Sequence, residues 1–239
     1  MKALVLAAGN GERFVNGTRH SKLLHSVLGQ PLILRTLTTA LAAGITSFEI
    51  VLGYQAAQLE KLIDTHLSGV DIHFSYNPDW HLENGTSVLA AERNLGGGRF
   101  ALLMGDHLFE PSSLRRLLAT TIDRDHSLLG IDRRPAPADV VQEATKVELD
   151  GSRIVAIGKD LQRFDALDTG MFVCSPSLFD ALAASRRAGD TTLSGGIREL
   201  AARGLMHGAD LGDADWFDID TIADLEAAEA RLTTGTRPA

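Results

Sequence analysis

The chain has 239 residues, of which 44% are hydrophobic and 23% are charged, and its formal net charge is −8. This composition is typical of a globular protein that can bury a full core in one large α/β domain. The acidic balance argues against a general nucleic-acid binder or a binder of anionic membranes, because both need a positive surface. A single cysteine, Cys174, excludes an internal disulfide, and no apolar run reaches the length of a transmembrane helix. We therefore expect a cytoplasmic protein with no membrane segment.

The first predicted strand ends in a glycine-rich loop. An apolar run that ends at Ala8 is followed by Gly9 and Gly11. Short apolar runs closed by glycine are typical of buried parallel strands, and glycine lets the backbone approach an anion closely. Arg13 and Lys22 add positive charge near this loop, so we expect it to bind a triphosphate. A tight turn with two unconnected surface cations is the alternative.

The loop departs from two well-known nucleotide loops. A dinucleotide fingerprint would need a third glycine where Phe14 stands, and a P-loop would need Gly-Lys-Ser/Thr after four spacer residues. This disfavours an oxidoreductase that uses a nicotinamide cofactor.

Strands and helices alternate through the first half of the chain. After the strand that ends at Ala8, the patterns predict a helix from Pro31 to a stop at Gly44, a strand 48–52, a helix 56–66, a strand 70–76, a helix after the turn 83–87, a strand 99–104, a helix from Pro111 and a strand 127–132. Such alternation predicts right-handed crossovers, and thus an α/β fold with a mostly parallel central sheet and helices on both faces.

The second half is richer in strands. Segments 146–149 and 154–157 flank Asp150-Gly151, which is a strong hairpin signal, and a further strand is predicted at 167–173. Helices are predicted from Pro176, at 193–203 and after 221. We expect a single domain, 1–232, with a nucleotide half at about 1–132, a small β-rich acceptor lobe at about 133–215, and a frayed tail, 233–239.

Three aspartates are candidate ligands of a divalent cation. Asp106 follows a predicted central strand, and ligands bind in the crevice at the carboxyl ends of strands in open α/β sheets. Asp218 and Asp220 lie on one side of a predicted extended segment, because side chains alternate along a strand. Two acids stabilised by the start of the last helix are the alternative. For His107, a local hydrogen bond is as consistent with the sequence as a substrate contact.

In this order the segments resemble the GT-A-like nucleotidyltransferases of the sugar-phosphate pyrophosphorylase superfamily. The matching segments are the loop Leu6-Ala7-Ala8-Gly9-Asn10-Gly11-Glu12-Arg13, Lys22, Gly105-Asp106 and Trp216-Phe217-Asp218-Ile219-Asp220-Thr221. Segments 104–107, 143–146, 157–161 and 164–170 are similar to the branch of CTP:inositol-1-phosphate cytidylyltransferases. The resemblance implies a Rossmann-like GT-A nucleotidyltransferase fold.

The resemblance also implies a reaction and its residues. CMP would pass from CTP to a phosphorylated polyol, inositol 1-phosphate for this branch, by Mg²⁺-assisted in-line attack on the α-phosphate, giving a CDP-alcohol and pyrophosphate. The implied catalytic residues are Arg13, Lys22 and Asp106. The implied metal ligands are Asp106, Asp218 and Asp220. The implied nucleotide-binding residues are Ala7, Ala8, Gly9, Gly11, Asn84, Gly85, Thr86 and Ser87. The implied acceptor-binding residues are Lys146, Lys159, Asp168, Thr169 and Gly170.

Other functions stay open at this level. They are another NDP-sugar pyrophosphorylase, a phosphocholine or phosphonate cytidylyltransferase, and a non-catalytic nucleotide-sensing module. Aromatic residues make up only 5% of the chain, which disfavours a choline cage. The expected partners are CTP and the phosphorylated acceptor, with no nucleic acid. The product is expected to pass to a separate CDP-alcohol phosphotransferase, and the sequence allows a homodimer.

Overall fold

Nine strands form one continuous sheet within the residues that the computed structural model describes, which are 1–11, 14, 21–95, 97–213 and 215–234. In chain order the elements are β1 (Lys2–Ala7), a 3₁₀ turn (Lys22–Leu24), β2 (Ser26–Val27), β3 (Gln30–Pro31), α1 (Leu32–Ala42), β4 (Ser47–Leu52), α2 (Ala56–His66), β5 (Asp71–Tyr76), α3 (Gly85–Ala90), a second 3₁₀ turn (Glu92–Asn94), β6 (Phe100–Met104), β7 (His107–Phe109), α4 (Pro111–Ala119), β8 (Ser127–Asp132), α5 (Ala138–Glu143), β9 (Lys146–Asp150), β10 (Arg153–Gly158), β11 (Ala166–Cys174), α6 (Ser177–Arg187), α7 (Leu193–Ala202), β12 (Met206–Asp210), β13 (Trp216–Asp218) and α8 (Ile222–Thr234).

The strand order is β5-β4-β1-β6-β11-β8-β12-β10-β9. β5, β4, β1 and β6 pair in parallel, as the alternation of strands and helices predicted. β11 and β10 run opposite to the other strands, so the prediction of a mostly parallel sheet is corrected to a mixed sheet. The connection explains the direction of β10, because parallel neighbours need a crossover of about a dozen residues or more, whereas β9 and β10 are joined by a tight turn.

The strand-rich second half is continuous with the main sheet. β9 and β10 form the predicted hairpin, whose turn contains Gly151 with a φ of +64°. β10 then pairs with β12, and β9 also pairs with β11. The segment predicted as a β-rich lobe therefore contributes strands to the same sheet that carries the first glycine loop.

Helices cover both faces of the sheet, as predicted. On one face α1, α2 and α4 bury Leu37, Leu59 and Leu114. On the other face α6 and α7 bury Leu178 and Ile197. Among the helices of the described ranges, none combines the length and the apolar character needed to span a bilayer.

Two short strands that the sequence patterns did not predict bring distant segments together. β7 has three residues and pairs antiparallel with β13, with His107 opposite Asp218. Such short strands carry too few residues for a periodic signal. β12 contains Gly208 and has no regular alternation, yet it pairs in parallel with β8. The last helix runs to Thr234, and residues 235–239 lie outside the described ranges.

Phe172→Ala tests whether the two halves of the sheet unfold together. Phe172 is 2% exposed in β11 and lies opposite Leu102 of β6 and Leu129 of β8. We expect a loss of about 3–5 kcal/mol in the free energy of unfolding, since truncating a buried phenylalanine leaves a cavity. Denaturant unfolding followed by circular dichroism and by fluorescence should show one coincident transition. Val155→Ala, at an exposed position of β10, is the control and should change stability little. Separate transitions in the two probes would contradict a single cooperative sheet.

Candidate active site

The ammonium of Lys22 lies between two carboxylates from distant parts of the chain. Its Nζ is 2.6 Å from Oδ2 of Asp106 and 2.8 Å from Oδ1 of Asp220. Burial disfavours the charged ammonium, but the two carboxylates outweigh this effect and hold the pKa of Lys22 above its usual range. Burial likewise disfavours the Asp106 carboxylate, but Lys22 outweighs it and holds the pKa of Asp106 below its usual range. Both groups are therefore charged at neutral pH.

His107 joins a third carboxylate to this cluster. Its Nδ1 lies 3.0 Å from Oδ1 of Asp106 and 3.6 Å from Oδ1 of Asp218. Burial lowers the pKa of His107, but Asp218 and Asp106 outweigh burial and raise it to about 9. Burial raises the pKa of Asp218 to about 6, and the nearby Asp106 and Asp220 add to this rise against the effect of His107. The imidazole is thus a second positive charge among the carboxylates at neutral pH.

β11 passes directly beside the His107 ring. Gly170 has a φ of +72°, and a Cβ at this position would lie 2.4 Å from the imidazole, so a side chain could not fit here. The backbone N–H of Gly170 donates to Oδ1 of Asp168 at 2.7 Å. Burial raises the pKa of the Asp168 carboxyl to about 6, and the Gly170 hydrogen bond and the His107 charge oppose this rise. Asp168 is therefore a fourth carboxylate at the cluster, which gives the site a negative excess among the described residues.

The ends of three strands position Asp106. The N–H of Gly105 donates to the carbonyl of Leu6 in β1 at 2.9 Å, and a Cβ on Gly105 would lie 2.7 Å from that oxygen. The carbonyl of Asp106 accepts the N–H of Ile219 at 3.3 Å, just beyond β13. The crevice at the carboxyl ends of β1 and β6 therefore contains the C-terminal acidic segment as well.

Thr36 is a residue of this site that the sequence interpretation missed. It is 1% exposed in α1, and its hydroxyl lies 3.0 Å from the carbonyl oxygen of His107, 3.1 Å from that of Gly105 and 3.2 Å from that of Leu32. The hydroxyl has one hydrogen and donates to one of these at a time. The only sequence signal is a polar residue inside the apolar stripe of α1. Thr36 thus ties α1 to the turn that carries Asp106.

Gln55 supports Lys22 in a similar way. Its Oε1 accepts the backbone N–H of Ser21 at 2.8 Å, and Oγ of Ser21 accepts the N–H of Leu23. The backbone of Gln55 has a φ of +53°, a conformation that is unusual outside glycine and that clusters at functional sites. The turn that carries Lys22 is therefore held from the loop after β4, and no sequence pattern indicated this contact.

The first glycine loop lies against Lys22. Ala7 and Ala8 are buried at the end of β1, whereas Gly9 is exposed. Gly11 has a φ of +64°, and a Cβ on it would lie 3.0 Å from Cγ of Lys22. Arg13 lies outside the described residues.

Segment 84–87, predicted to bind nucleotide, contacts Asn77, Thr191 and Leu193 in the structure. The amide of Asn77 donates to the hydroxyls of Thr86 and Ser87, each at 3.0 Å. Oδ1 of Asn84 accepts the N–H of Leu193 at 2.8 Å. Gly85 packs so closely that a Cβ would lie 2.5 Å from the carbonyl oxygen of Thr191. Asn84 occupies the N-cap position of α3, which has no side-chain cap bond.

The predicted acceptor residues divide into two groups. Asp168 and Gly170 lie at His107, as described above. Lys146 is buried and its Nζ donates to the carbonyl of Lys159, whose own side chain is exposed. Thr169 is fully buried and donates to the carbonyl of Gly130 at 2.7 Å, so its hydroxyl belongs to the core between β11 and β8.

Comparisons with known proteins identify a family and several relatives. The family described as MobA-like NTP transferase domain matches residues 3–203. A bifunctional IPC transferase and DIPP synthase of Rubrobacter xylanophilus is 38% identical over 231 residues, which are 95% of this chain and 51% of that protein. The protein of the same name from Thermococcus kodakarensis is 31% identical over 234 residues, which are 97% of this chain and 50% of that protein. The chain thus spans about half the length of these curated relatives.

A solved structure is similar over its whole length. The inositol-1-phosphate CTP transferase of T. maritima superposes with a TM-score of 0.84 at 27% identity, and the match covers 99% of this chain and 98% of that one.

Thr36→Val should destabilise the protein by about 1–3 kcal/mol, because it keeps the shape of the side chain but removes the one hydrogen bond that the hydroxyl donates to a buried carbonyl. Thr36→Ser keeps the hydroxyl and should recover most of the loss. Urea unfolding of the three proteins measures both effects. Equal stability of Thr36→Val and the parent protein would show that the hydroxyl does not hold the turn.

His107→Asn should cost less stability at high pH than at neutral pH. The pKa of His107 is raised from its usual value of about 6.5 to about 9, so its ionic contacts add stability that is fully present below about pH 6.5 and is lost as the pH rises through 9. Urea unfolding of both proteins with a chelator present, at pH 7.0 and at pH 9.5, measures the stability difference between them. A stability difference that grows toward pH 9.5 would contradict the ionic contacts of His107.

Proposed function

Because this chain belongs to the MobA-like NTP transferase family, we propose that it transfers CMP from CTP to a phosphorylated polyol, with inositol 1-phosphate as its acceptor. The products would be a CDP-alcohol and pyrophosphate. The names of the two relatives and of the T. maritima structure support this substrate class. The observation that carries the proposal is the convergence of Lys22, Asp106 and Asp220 beside the glycine loop.

The position of the cluster suits a nucleoside triphosphate. It lies at the carboxyl ends of β1 and β6, where open α/β sheets bind their ligands. Gly11 brings backbone close to the Lys22 side chain, Gly9 leaves open space at the end of β1, and Lys22 supplies a buried positive charge. Arg13, which lies outside the described residues, would hold the β- and γ-phosphates that leave as pyrophosphate.

The carboxylates fit a divalent cation. Oxygens of Asp106 and Asp220 already converge on one cation, the Lys22 ammonium. One ligand atom each from Asp106, His107 and Asp218 also lie within 4.8 Å of one another. Mg²⁺ prefers oxygen ligands, so the three aspartates would hold it, and His107 would orient Asp106. When bound, Mg²⁺ would neutralise charge on the phosphates of the nucleotide.

The proposed reaction depends on the positioning of the two substrates and on neutralisation of their charge rather than on proton transfer. A phosphomonoester is already ionised near neutral pH, so its oxygen can attack the α-phosphorus without a general base. The bond between the α-phosphorus and the bridging oxygen to the β-phosphate breaks, and that oxygen leaves with pyrophosphate. Lys22 would offset the negative charge that grows at the α-phosphate during attack.

The acceptor would enter from the side of β9, β10 and β11. The exposed side chain of Lys159 would bind the acceptor phosphate, while Lys146 fixes the backbone of Lys159 through its carbonyl. The Asp168 carboxylate, beside His107, would accept hydrogen bonds from the hydroxyl groups of a polyol. A CDP-alcohol made here would be a substrate for a CDP-alcohol phosphotransferase.

A panel of four nucleoside triphosphates against several phosphorylated polyols and amino alcohols, read by pyrophosphate release, tests the proposal. We expect the fastest release with CTP, inositol 1-phosphate and Mg²⁺. Asp106→Asn should lower turnover by roughly 10³-fold or more without unfolding the protein, because it weakens both the metal site and the Lys22 contact. Lys61→Met, at an exposed position of α2, should leave turnover unchanged.

Two outcomes would contradict the proposal. One is pyrophosphate release at the blank rate with every pair, which would favour a nucleotide-sensing module. The other is a clear preference for a different nucleotide or for a sugar phosphate.

A further inference from the structure

The position of Lys22 raises a conflict with the proposed metal site. Its Nζ lies within 2.8 Å of oxygens from both Asp106 and Asp220, at the point toward which the two carboxylates converge. A Mg²⁺ ion would need those oxygens at about 2.0–2.1 Å. An ammonium and a divalent cation cannot occupy this point together.

We infer that Lys22 is an exchangeable counter-ion, which leaves Asp106 and Asp220 when Mg²⁺ enters between them and then pairs with the phosphates of the nucleotide. This inference rests on the proposed function and adds a binding rule to it. Metal alone must displace the ammonium into water, whereas metal with a triphosphate offers the ammonium a new anion. Metal and nucleotide therefore bind with positive coupling.

The surroundings of Lys22 allow its side chain to move while its backbone stays fixed. Ser21 is held by Gln55, and the carbonyl of Lys22 accepts the N–H of His25 at 3.0 Å. The lysine stem has four flexible carbons. Gly11 lies against this stem, and a Cβ there would lie 3.0–3.2 Å from its Cβ, Cγ and Cδ atoms. A glycine at this position leaves the stem room to rotate.

The exchange keeps every charge paired. In the free protein Lys22 relieves repulsion between two carboxylates whose side chains are only 24% and 21% exposed. In the bound state Mg²⁺ would take over that role for Asp106 and Asp220, and the phosphates would replace the carboxylates as partners of Lys22. Leaving either side unpaired at this level of burial would be costly.

The rival arrangement leaves Lys22 in place. Mg²⁺ would then bind on the other side of Asp106, toward His107 and Asp218, whose ligand atoms also lie within reach of one ion. In that case Lys22 would stabilise the carboxylates and would not compete with the metal. A nearby positive charge weakens cation binding in either arrangement. Only the exchange predicts that removing the ammonium also removes the gain in Mg²⁺ affinity that the nucleotide provides.

Calorimetric titration of Mg²⁺ into Lys22→Met and the parent protein separates the two arrangements. Without nucleotide, Lys22→Met should bind Mg²⁺ at least about 10-fold more tightly than the parent, since no ammonium competes. With α,β-methylene-CTP present, the parent should gain at least about 10-fold in Mg²⁺ affinity, a normal size for coupling between two ligands. Lys22→Met should lose most of this gain. Lys61→Met should match the parent in both titrations.

Mg²⁺ affinity of Lys22→Met equal to or weaker than that of the parent would overturn the inference. If this variant does not fold, Lys22→Gln, which also lacks the ammonium, takes its place in both titrations, and a nucleotide-dependent gain as large as that of the parent overturns the inference. The proposed function stands in either case if the parent makes a CDP-alcohol. A parent that makes none and binds no Mg²⁺ in the presence of the analogue would remove both.

Discussion

One buried ammonium between two carboxylates organises the crevice of this protein. Lys22 follows the first loop, Asp106 follows β6, and Asp220 lies between β13 and α8. No two of these residues are neighbours in sequence, so their contact fixes the relative position of three chain segments. Two carboxylates this close would repel each other without a cation. The site therefore requires a positive charge at one point, whether it comes from the protein or from a ligand.

The rest of the structure holds this point in place. The bond from Gly105 to Leu6 and the hydroxyl of Thr36 fix the turn of Asp106 against β1 and α1. Gln55 fixes the turn of Lys22 from the loop after β4. Hydrogen bonds thus hold the backbone at the site, and the part free to change partners in the inferred exchange is the lysine side chain. Nucleotidyl transfer depends on charges that are already in position, since the reacting groups are already ionised and need no proton transfer.

Sequence patterns predicted the parts of the fold that depend on local periodicity. The apolar runs gave the parallel strands β1, β4 and β6, and the place of Asp106 at a strand end indicated the crevice. The reversal of β11 and β10 was not predicted, because strand direction depends on pairing between distant segments. Alternation and family resemblance predicted Asp218 and Asp220 as metal ligands, but β7, which pairs with their segment, is too short to show a pattern.

The positioning residues were harder to predict than the charged ones. Thr36 and Gln55 act through hydrogen bonds to backbone atoms 69–71 and 34 residues away, and nothing in their local sequence indicates such partners. The most direct test of the account is a structure of the protein with Mg²⁺ and α,β-methylene-CTP. The account predicts Mg²⁺ on Asp106 and Asp220, with Nζ of Lys22 moved onto the phosphates. Lys22 still bound to both carboxylates, with the metal elsewhere, would contradict it.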